Sequence, residues 1–419
     1  MQVVWRPNRQ PLPKGYHAMS SSLLYHAFNL KQGKYRSTRY EGNRIIFKVE
    51  TDKFSKFCTS CKSNQVIFKG SKTRQFHLPP VGRKRCLLEL LMHRLYCKNC
   101  GCLWWPRLQF MDGNKRYTRA FAQTALDLLQ FSTVKAVADY LRVGWDLIKQ
   151  IHKNKLQSLY RRQDLSSLVY LGIDEFSIRK GHSYMTIFAD LQTGRIIHAV
   201  EGRSVDDIAP YLQHIAKKAR NLKAVAVDMS QSYIKAINEN LPKIAIVFDH
   251  YHISAMVNRA IDSFRRELQS QMNEEGKKLI KGGRFLFLRN YTDLDHPSKA
   301  RLHKLMDVNK SLFFMYNMKE LLRYFWRFKQ RSLAEKFLYS WCVDVLCTGI
   351  RPFIRLGMTL SKYKQQILNY FEHRISNAVV EGTNNKIKTL KRQAYGFRDM
   401  EYFKLRLYHL HSTRYSFAG

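Results

Sequence analysis

The chain is short of acid. Its 419 residues hold 32 Asp and Glu against 72 Lys and Arg, a formal charge of +40, and the excess runs along the whole length. A basic tail would suit a simple tether; distributed charge suits a long polyanion footprint, nucleic acid above all. Long apolar runs are missing too. None reaches the roughly 18 residues that a membrane span needs, so no span is expected. The start, Met1-Gln-Val-Val-Trp-Arg-Pro-Asn-Arg9, is basic but has no apolar stretch or small-residue cleavage site after it. A secretory leader is therefore not expected, and the protein should stay where it is made. A disulfide framework is lacking as well: four of the eight cysteines have metal-ligand spacing, which fits a reducing compartment.

What is present can fill cores. Hydrophobic residues make up 45% of the chain, and its length allows two or three domains. Cys58-Thr-Ser-Cys61 and Cys97-Lys-Asn-Cys100 offer four thiolates as two knuckles, the arrangement of a structural Zn²⁺ ribbon. Strand-like runs at Gln65–Phe68 and Leu87–Tyr96 lie between them. Cys86 and Cys102 are spare, with Cys102 a competitor for Cys100; Cys342 and Cys347 read as core. Such a metal would staple a small basic module.

After Trp104-Trp105-Pro106 the pattern turns helical. Phe121, Ala125, Leu128 and Leu129 recur at helical spacing in Thr118–Phe131. Thr133–Leu141 and Trp145–Lys155 follow, separated by Arg142-Val143-Gly144. On a helix-turn-helix template Ala138 faces the partner helix, and Val143, Ile148 and Ile151 are buried. Arg142 stands where the turn usually has Gly. Lys149, Lys153 and Lys155 would face phosphates; the alternative is a plain three-helix packing unit.

From Leu165 the chain reads as strands. Ser167–Asp174, Tyr184–Leu191 and Arg195–Val200 form a meander, and Asp206–Ala219 is helical. Leu222–Asp228 is a fourth strand, Gln231–Asn240 a helix, Lys243–Asp249 a fifth strand, and a further helix starts near His252. The order βββαβαβα is that of an RNase H-like core, a mixed five-stranded sheet with helices. There the first and fourth strands are neighbours, so Asp174 and Asp228 are expected at one sheet edge, close enough to share a metal ion. Glu175 alternates to the other face. Asp249 rivals Asp228, and with His252 it either positions substrate or is a helix cap beside a satisfied His. Residues 271–370 read as an all-helical insertion. Helix resumes over Ser376–Leu390, with Glu381 early in it and a basic stripe of Lys386, Lys388, Lys391 and Arg392 behind.

These residues carry a resemblance. Tyr170-Leu-Gly-Ile-Asp-Glu-Phe-Ser-Ile-Arg-Lys-Gly-His-Ser-Tyr184 resembles the first catalytic block of DDE transposases of the ISL-three insertion-sequence family. Val227-Asp-Met-Ser, Asp249-His-Tyr-His and Glu381-Gly-Thr-Asn-Asn-Lys-Ile-Lys resemble its later blocks, as does Lys391-Arg-Gln-Ala-Tyr-Gly-Phe-Arg398. The likeness covers essentially the whole chain. His250-Tyr251 replace a frequent Arg-Phe, and Thr383 a frequent Leu. The resemblance implies a catalytic, Mg²⁺- or Mn²⁺-binding triad of Asp174, Asp228 and Glu381, with Glu175, Asp249 and His252 around it. It also implies DNA contacts from Lys386, Lys388, Lys391, Arg392 and Arg398, and a dimer or higher assembly on the DNA ends of the element.

The expected domains are an N-terminal segment over 1–50, a zinc ribbon over 51–106 and a helix-turn-helix over 115–160. A catalytic core over 165–270 follows, then the insertion over 271–370 and the last part of the core, with a basic C-terminus, over 371–419. The activity implied is metal-dependent DNA cleavage and strand transfer at terminal inverted repeats, in the cytoplasm of a prokaryotic cell at the nucleoid. A nuclease that cuts without joining, and a DNA-binding regulator with an inert core, are the competing readings.

Overall fold

The computed structural model describes residues 20–411, apart from 32, 51–56, 180, 182, 273, 275, 276 and 278–280. The expectations for 1–19, for 51–56 of the zinc module and for the basic C-terminus over 412–419 lie outside the described residues. The chain divides into two compact units, 1–158 and 159–419. Among the described residues no helix is long and apolar enough to cross a membrane.

The first unit is built on a sheet ordered β1-β2-β4-β3, with the short β5 (Leu103–Trp104) on β4. Its strands are β1 (Lys34–Glu41), β2 (Arg44–Glu50), β3 (Val66–Val81) and β4 (Lys84–Cys97). In β4 the alternate residues Cys86, Leu88, Leu90 and Met92 are buried, and they meet Ile45, Phe47, Val49, Phe76 and Leu78 in one core. The period of two is what a half-buried strand requires. The hairpin β3–β4 is longer than the apolar runs in the sequence suggest. Charged residues such as Lys69 and Lys72 occupy the exposed positions of β3 and hide the strand from a reading based on hydrophobicity.

Helices Arg119–Leu128, Val134–Leu141 and Trp145–Tyr160 follow, the first two capped by the Thr118 and Thr133 hydroxyls. Ala138, Ile148 and Ile151 are buried between them and Val143 packs alongside. Arg142 ends the second helix at φ 54°, the left-handed conformation that explains why Gly is usual there.

The second unit holds β6 (Tyr170–Ser177), β7 (Tyr184–Asp190), β8 (Ile196–Glu201), β9 (Ala224–Val227) and β10 (Ala245–Phe248). The order across the sheet is β10-β9-β6-β7-β8, so the first and fourth strands of this unit are neighbours. β6 runs parallel to β9 and antiparallel to β7. One correction to the sequence reading follows. β6 does not stop at Asp174 but runs on to Ser177, because Glu175, Phe176 and Ser177 keep pairing with Thr186, Met185 and Tyr184 of β7. On the parallel side the pairing with β9 ends at Gly172, two residues before Asp174.

The sheet has two faces. Leu171, Ile173 and Phe188 share a core with helices Val205–Lys218 and Gln231–Asn240. Phe176, Met185, Ile187 and Ala189 pack instead against helices Ala378–Gln393 and Met400–Tyr408. Every described element between Arg284 and His373 is helical. Gly172 lets the Ala378–Gln393 helix approach: a Cβ there would lie 2.7 Å from both Leu191 and Val380 and 3.0 Å from Asn377 Oδ1. Gly172→Ala should therefore cost about 1–3 kcal/mol through overpacking, read as a lower urea midpoint. An unchanged midpoint would mean that the helix does not rest on this residue.

Candidate active site

The register of two parallel strands sets the site. Tyr170, Leu171 and Gly172 pair with Ala224, Val225 and Ala226. Carried two residues on, this offset brings Asp174 level with Asp228, on strands about 4.8 Å apart. The β10–β9 pairing ends with Phe248 opposite Val227, so Asp249 is level with Asp228 on the other side. Paired residues of parallel strands share a face. Gly172 and Phe176 place Asp174 on the face covered by the Ala378–Gln393 helix.

That helix meets the sheet beside Asp174. Asn377 Nδ2 donates to the Ile173 carbonyl at 3.0 Å, and Asn384 Nδ2 donates to Asp174 Oδ2 at 2.7 Å. Glu381 is four residues after the first Asn and three before the second. Helical spacing therefore sets it on the stripe between two side chains that touch β6 around Asp174. Its own side chain is exposed. The three acids are not drawn into a closed cage: among the described residues only the four cysteines bring three or more metal-ligating atoms within 4.8 Å of one another.

Burial pushes the Asp174 carboxyl up to about 6, and the charges of Glu175 and Asp228 add to the rise. The Glu175 backbone N–H, 2.9 Å from Oδ1, and the charge of His252 work against it. Asp228 Oδ1 accepts from the Ser230 N–H at 3.1 Å. Glu175 lies on the opposite face, where Tyr233 donates to it at 2.7 Å and Arg203 stands 3.9 Å away. Asp249 is buried and caps helix His250–Gln271, its Oδ1 3.3 Å from the Tyr251 N–H and 3.4 Å from His250 Nδ1. His252 is half-buried in the first turn of that helix.

The basic residues beyond Glu381 differ from one another. Lys391 donates to the Ser177 carbonyl at 2.5 Å and lies over the Phe176 ring, so it ties the helix to the end of β6. Lys388, Arg392 and Arg398 are exposed and Lys386 is half-buried. Tyr395, between them in sequence, is fully exposed. On the Trp145–Tyr160 helix Lys155 is exposed, whereas Lys149 and Lys153 are half-buried.

In the first unit Cys58, Cys61, Cys97 and Cys100 come together, with Sγ separations of 3.6 Å for Cys58–Cys100 and for Cys61–Cys97. Four sulfurs about 2.3 Å from a tetrahedral ion would be roughly 3.8 Å apart, so the spacing fits. The Ser63 N–H and the Asn99 amide hold Cys61 down to about 6, so this thiol ionises readily. Nearby, a cavity of about 1190 Å³ is lined by Lys72, Arg74, Arg85, Arg107, Arg116 and Arg119 against a single acid, Asp112.

Residues 171–407 match a transposase family model of the DDE type, and 106–153 match the helix-turn-helix domain of transposase family ISL3. The chain belongs to the ISL3 transposase family. It is 33% identical to the transposase for insertion sequence element IS1001 of Bordetella parapertussis, over 81% of this chain and 86% of that protein. It is 23% identical to the transposase for IS1557 of Mycobacterium tuberculosis, over 85% and 86%. The structure of a Drosophila P element transposase strand transfer complex aligns with 76% of this chain and 95% of its own, at 12% identity and a TM-score of 0.40, a likeness too loose to decide the fold. For an ISL3 transposase the helices between Arg119 and Tyr160 are thus a helix-turn-helix rather than a plain packing unit.

Sequence reading missed the two asparagines that dock the Glu381 helix. Asn377 and Asn384 flank Glu381 at i−4 and i+3, but that they face the sheet is seen only from their contacts with β6. The Asp174 shift gives a test. A folded-state pKa above the usual 3.8 means the fold favours the neutral acid, so this contribution is full below about pH 4 and lost as pH rises through about 6. Without divalent cations, Asp174→Asn should be more stable than the parent by on the order of 2 kcal/mol at pH 8, the gap narrowing toward pH 4. Thermal melts across pH would show it. A gap independent of pH would refute the burial of charge at this position.

Proposed function

We propose that this transposase binds the terminal inverted repeats of its insertion sequence and catalyses metal-dependent DNA cleavage and strand transfer, with Asp174, Asp228 and Glu381 as the catalytic triad. The observation that carries the reading is the β6–β9 register, which levels the two aspartates on the face covered by the Glu381 helix. The sheet order and the βββαβαβα succession support an RNase H-like core over 165–270 and 371–419, with 271–370 as an all-helical insertion ahead of Glu381.

The donors at the site are all oxygens, the set a hard cation such as Mg²⁺ or Mn²⁺ takes, and the raised pKa of Asp174 marks a charge that a cation would relieve. When bound, such ions promote ionisation of an attacking hydroxyl or water and stabilise the leaving oxygen of an in-line displacement. Asp174, Asp228 and Glu381 would hold them. The chain's own part is positional. Strand pairing fixes the two aspartates, the Ala378–Gln393 helix brings in Glu381, and Lys386, Lys388, Arg392 and Arg398 hold the DNA backbone alongside, with Lys391 bracing the helix. Asp249 and His252 support the site from the helix that begins beside it, and Glu175 from beneath the sheet.

The first unit would recognise the ends. A Zn²⁺ ion on Cys58, Cys61, Cys97 and Cys100 would fix the module over 51–106, preceded by the segment over 1–50, and the six-cation cavity would take phosphodiester backbone. Over 115–160 the recognition helix would enter the major groove, with Lys149, Lys153 and Lys155 toward phosphates. Joining two ends calls for a dimer or higher oligomer. Such activity would have the protein work in the cytoplasm at the nucleoid.

Asp174→Asn, Asp228→Asn and Glu381→Gln should each lower Mg²⁺-dependent cleavage of a duplex bearing the element's end by at least ~10³-fold while duplex binding persists. Gel assays of cleavage and joining decide: retained cleavage in any variant removes that acid from the triad, and cleavage without joining favours a nuclease. Binding without either reaction favours a regulator. Metal analysis should find about one Zn²⁺ per chain, absent in Cys58→Ser together with end binding. Zinc-free wild-type protein that still binds ends would overturn the ribbon.

A further inference from the structure

Asn384 is 9% exposed, and its two amide atoms have different fates. Nδ2 donates to Asp174 Oδ2 at 2.7 Å, while the Glu175 N–H takes Oδ1, so both oxygens of Asp174 are held. The amide oxygen of Asn384 is buried and has no hydrogen-bond partner. The orientation of the amide follows from chemistry. An ionised carboxylate only accepts, so the NH₂ group must face it and the oxygen must turn away. A buried carbonyl oxygen without a donor is costly, and such a group calls for a ligand.

Asn377 offers the contrast. Its amide oxygen is also unpartnered, but it faces Gly172, 3.0 Å from where a Cβ would stand, and its Nδ2 anchors the helix to the Ile173 carbonyl. It is packed against backbone, with no carboxylate on it. Of the two, Asn384 is the one whose amide bonds the Asp174 carboxylate and leaves its oxygen unpartnered.

Resting on the acidic-site reading above, we propose that Asn384 is a fourth member of the site. Its Nδ2 orients the Asp174 carboxylate, and its Oδ1 is an additional oxygen ligand for the divalent cation. The amide adds a ligand without adding charge. A fourth carboxylate in that place would increase the repulsion that already surrounds Asp174.

The test uses Mn²⁺ as probe on the full, zinc-loaded chain, with free Mn²⁺ read by electron paramagnetic resonance. Asn384→Leu, which keeps the volume and removes both polar atoms, should weaken Mn²⁺ binding roughly 10- to 100-fold. Asn384→Asp keeps an oxygen at the Oδ1 position but sets a second carboxylate against Asp174 in place of Nδ2. It should lower the thermal midpoint without cation, while Mn²⁺, which relieves that repulsion, should bind within a few-fold of the parent. Asn385→Ala, an exposed neighbour, should leave it unchanged. If Asn384→Leu binds Mn²⁺ as the parent does, the role of Asn384 is overturned. If Leu and Asp weaken Mn²⁺ binding equally while thermal melts show both variants folded, Oδ1 is not a ligand. Asp174→Asn separates the two levels. Should it leave Mn²⁺ binding intact, the acidic site itself fails, and the proposal for Asn384 with it.

Discussion

Parallel pairing of β6 with β9 is the constraint on which the site depends. Backbone hydrogen bonds fix the offset over Tyr170 to Gly172, and carried two residues on it brings Asp174 level with Asp228, just past the end of β9. Like charges at that spacing repel, and the half-buried setting of Asp174 makes the repulsion stronger. The chain's charge of +40 does little against this, since a charge beyond the Debye length of about 8 Å is largely screened. Relief has to be local. It comes from the Glu175 and Ser230 backbone N–H groups, from the Asn384 amide and from the charge of His252. These do not offset the burial of Asp174, whose carboxyl still stands at about 6.

The second constraint is how closely a helix can approach a sheet. Ala224 and Ala226 on β9 and Gly172 on β6 keep the face beside the aspartates low. Asparagine amides then fasten the chain to strand carbonyls. Asn369 takes Ile246 on β10, and Asn377 takes Ile173, one residue past the point where β6 stops pairing with β9. The Glu381 helix is therefore docked at both ends of its first two turns, by Asn377 and by Asn384. That docking sets the helix that carries Glu381, some two hundred residues further along the chain, against the strand that carries Asp174.

Much of this was legible in the sequence. Strands β6, β9 and β10 are short apolar runs bounded by polar turns, and their order fixes which of them are neighbours. The cysteine knuckles and the helix-turn-helix were read from their spacing; the four thiols do come together and the helices match a helix-turn-helix domain. Three things were not legible. The full β3–β4 hairpin was hidden because its exposed face is basic, so apolar runs report only half of it. The extension of β6 beyond Asp174 was hidden because it depends on pairing with β7 alone. The roles of Asn377 and Asn384 were hidden because they arise from a helix meeting a strand across some two hundred residues, a contact that no local period encodes.

The difference between Asp174 and Glu175 shows how much the sheet decides. Adjacent in sequence and both acidic, they lie on opposite faces. Glu175 meets a tyrosine hydroxyl and an arginine, a structural environment that satisfies its charge within the protein. Asp174 meets amide donors and another acid, which leaves its charge unsatisfied. Asp249, level with Asp228 on the far strand, is buried and caps the helix that begins beside it. Each of the two accepts one backbone N–H, Asp249 from Tyr251 at 3.3 Å and Asp228 from Ser230 at 3.1 Å, so hydrogen bonding does not separate them. Exposure does: Asp228 is half-buried where Asp249 is buried, and of these two candidates for the second ligand it is the one a cation reaches more easily.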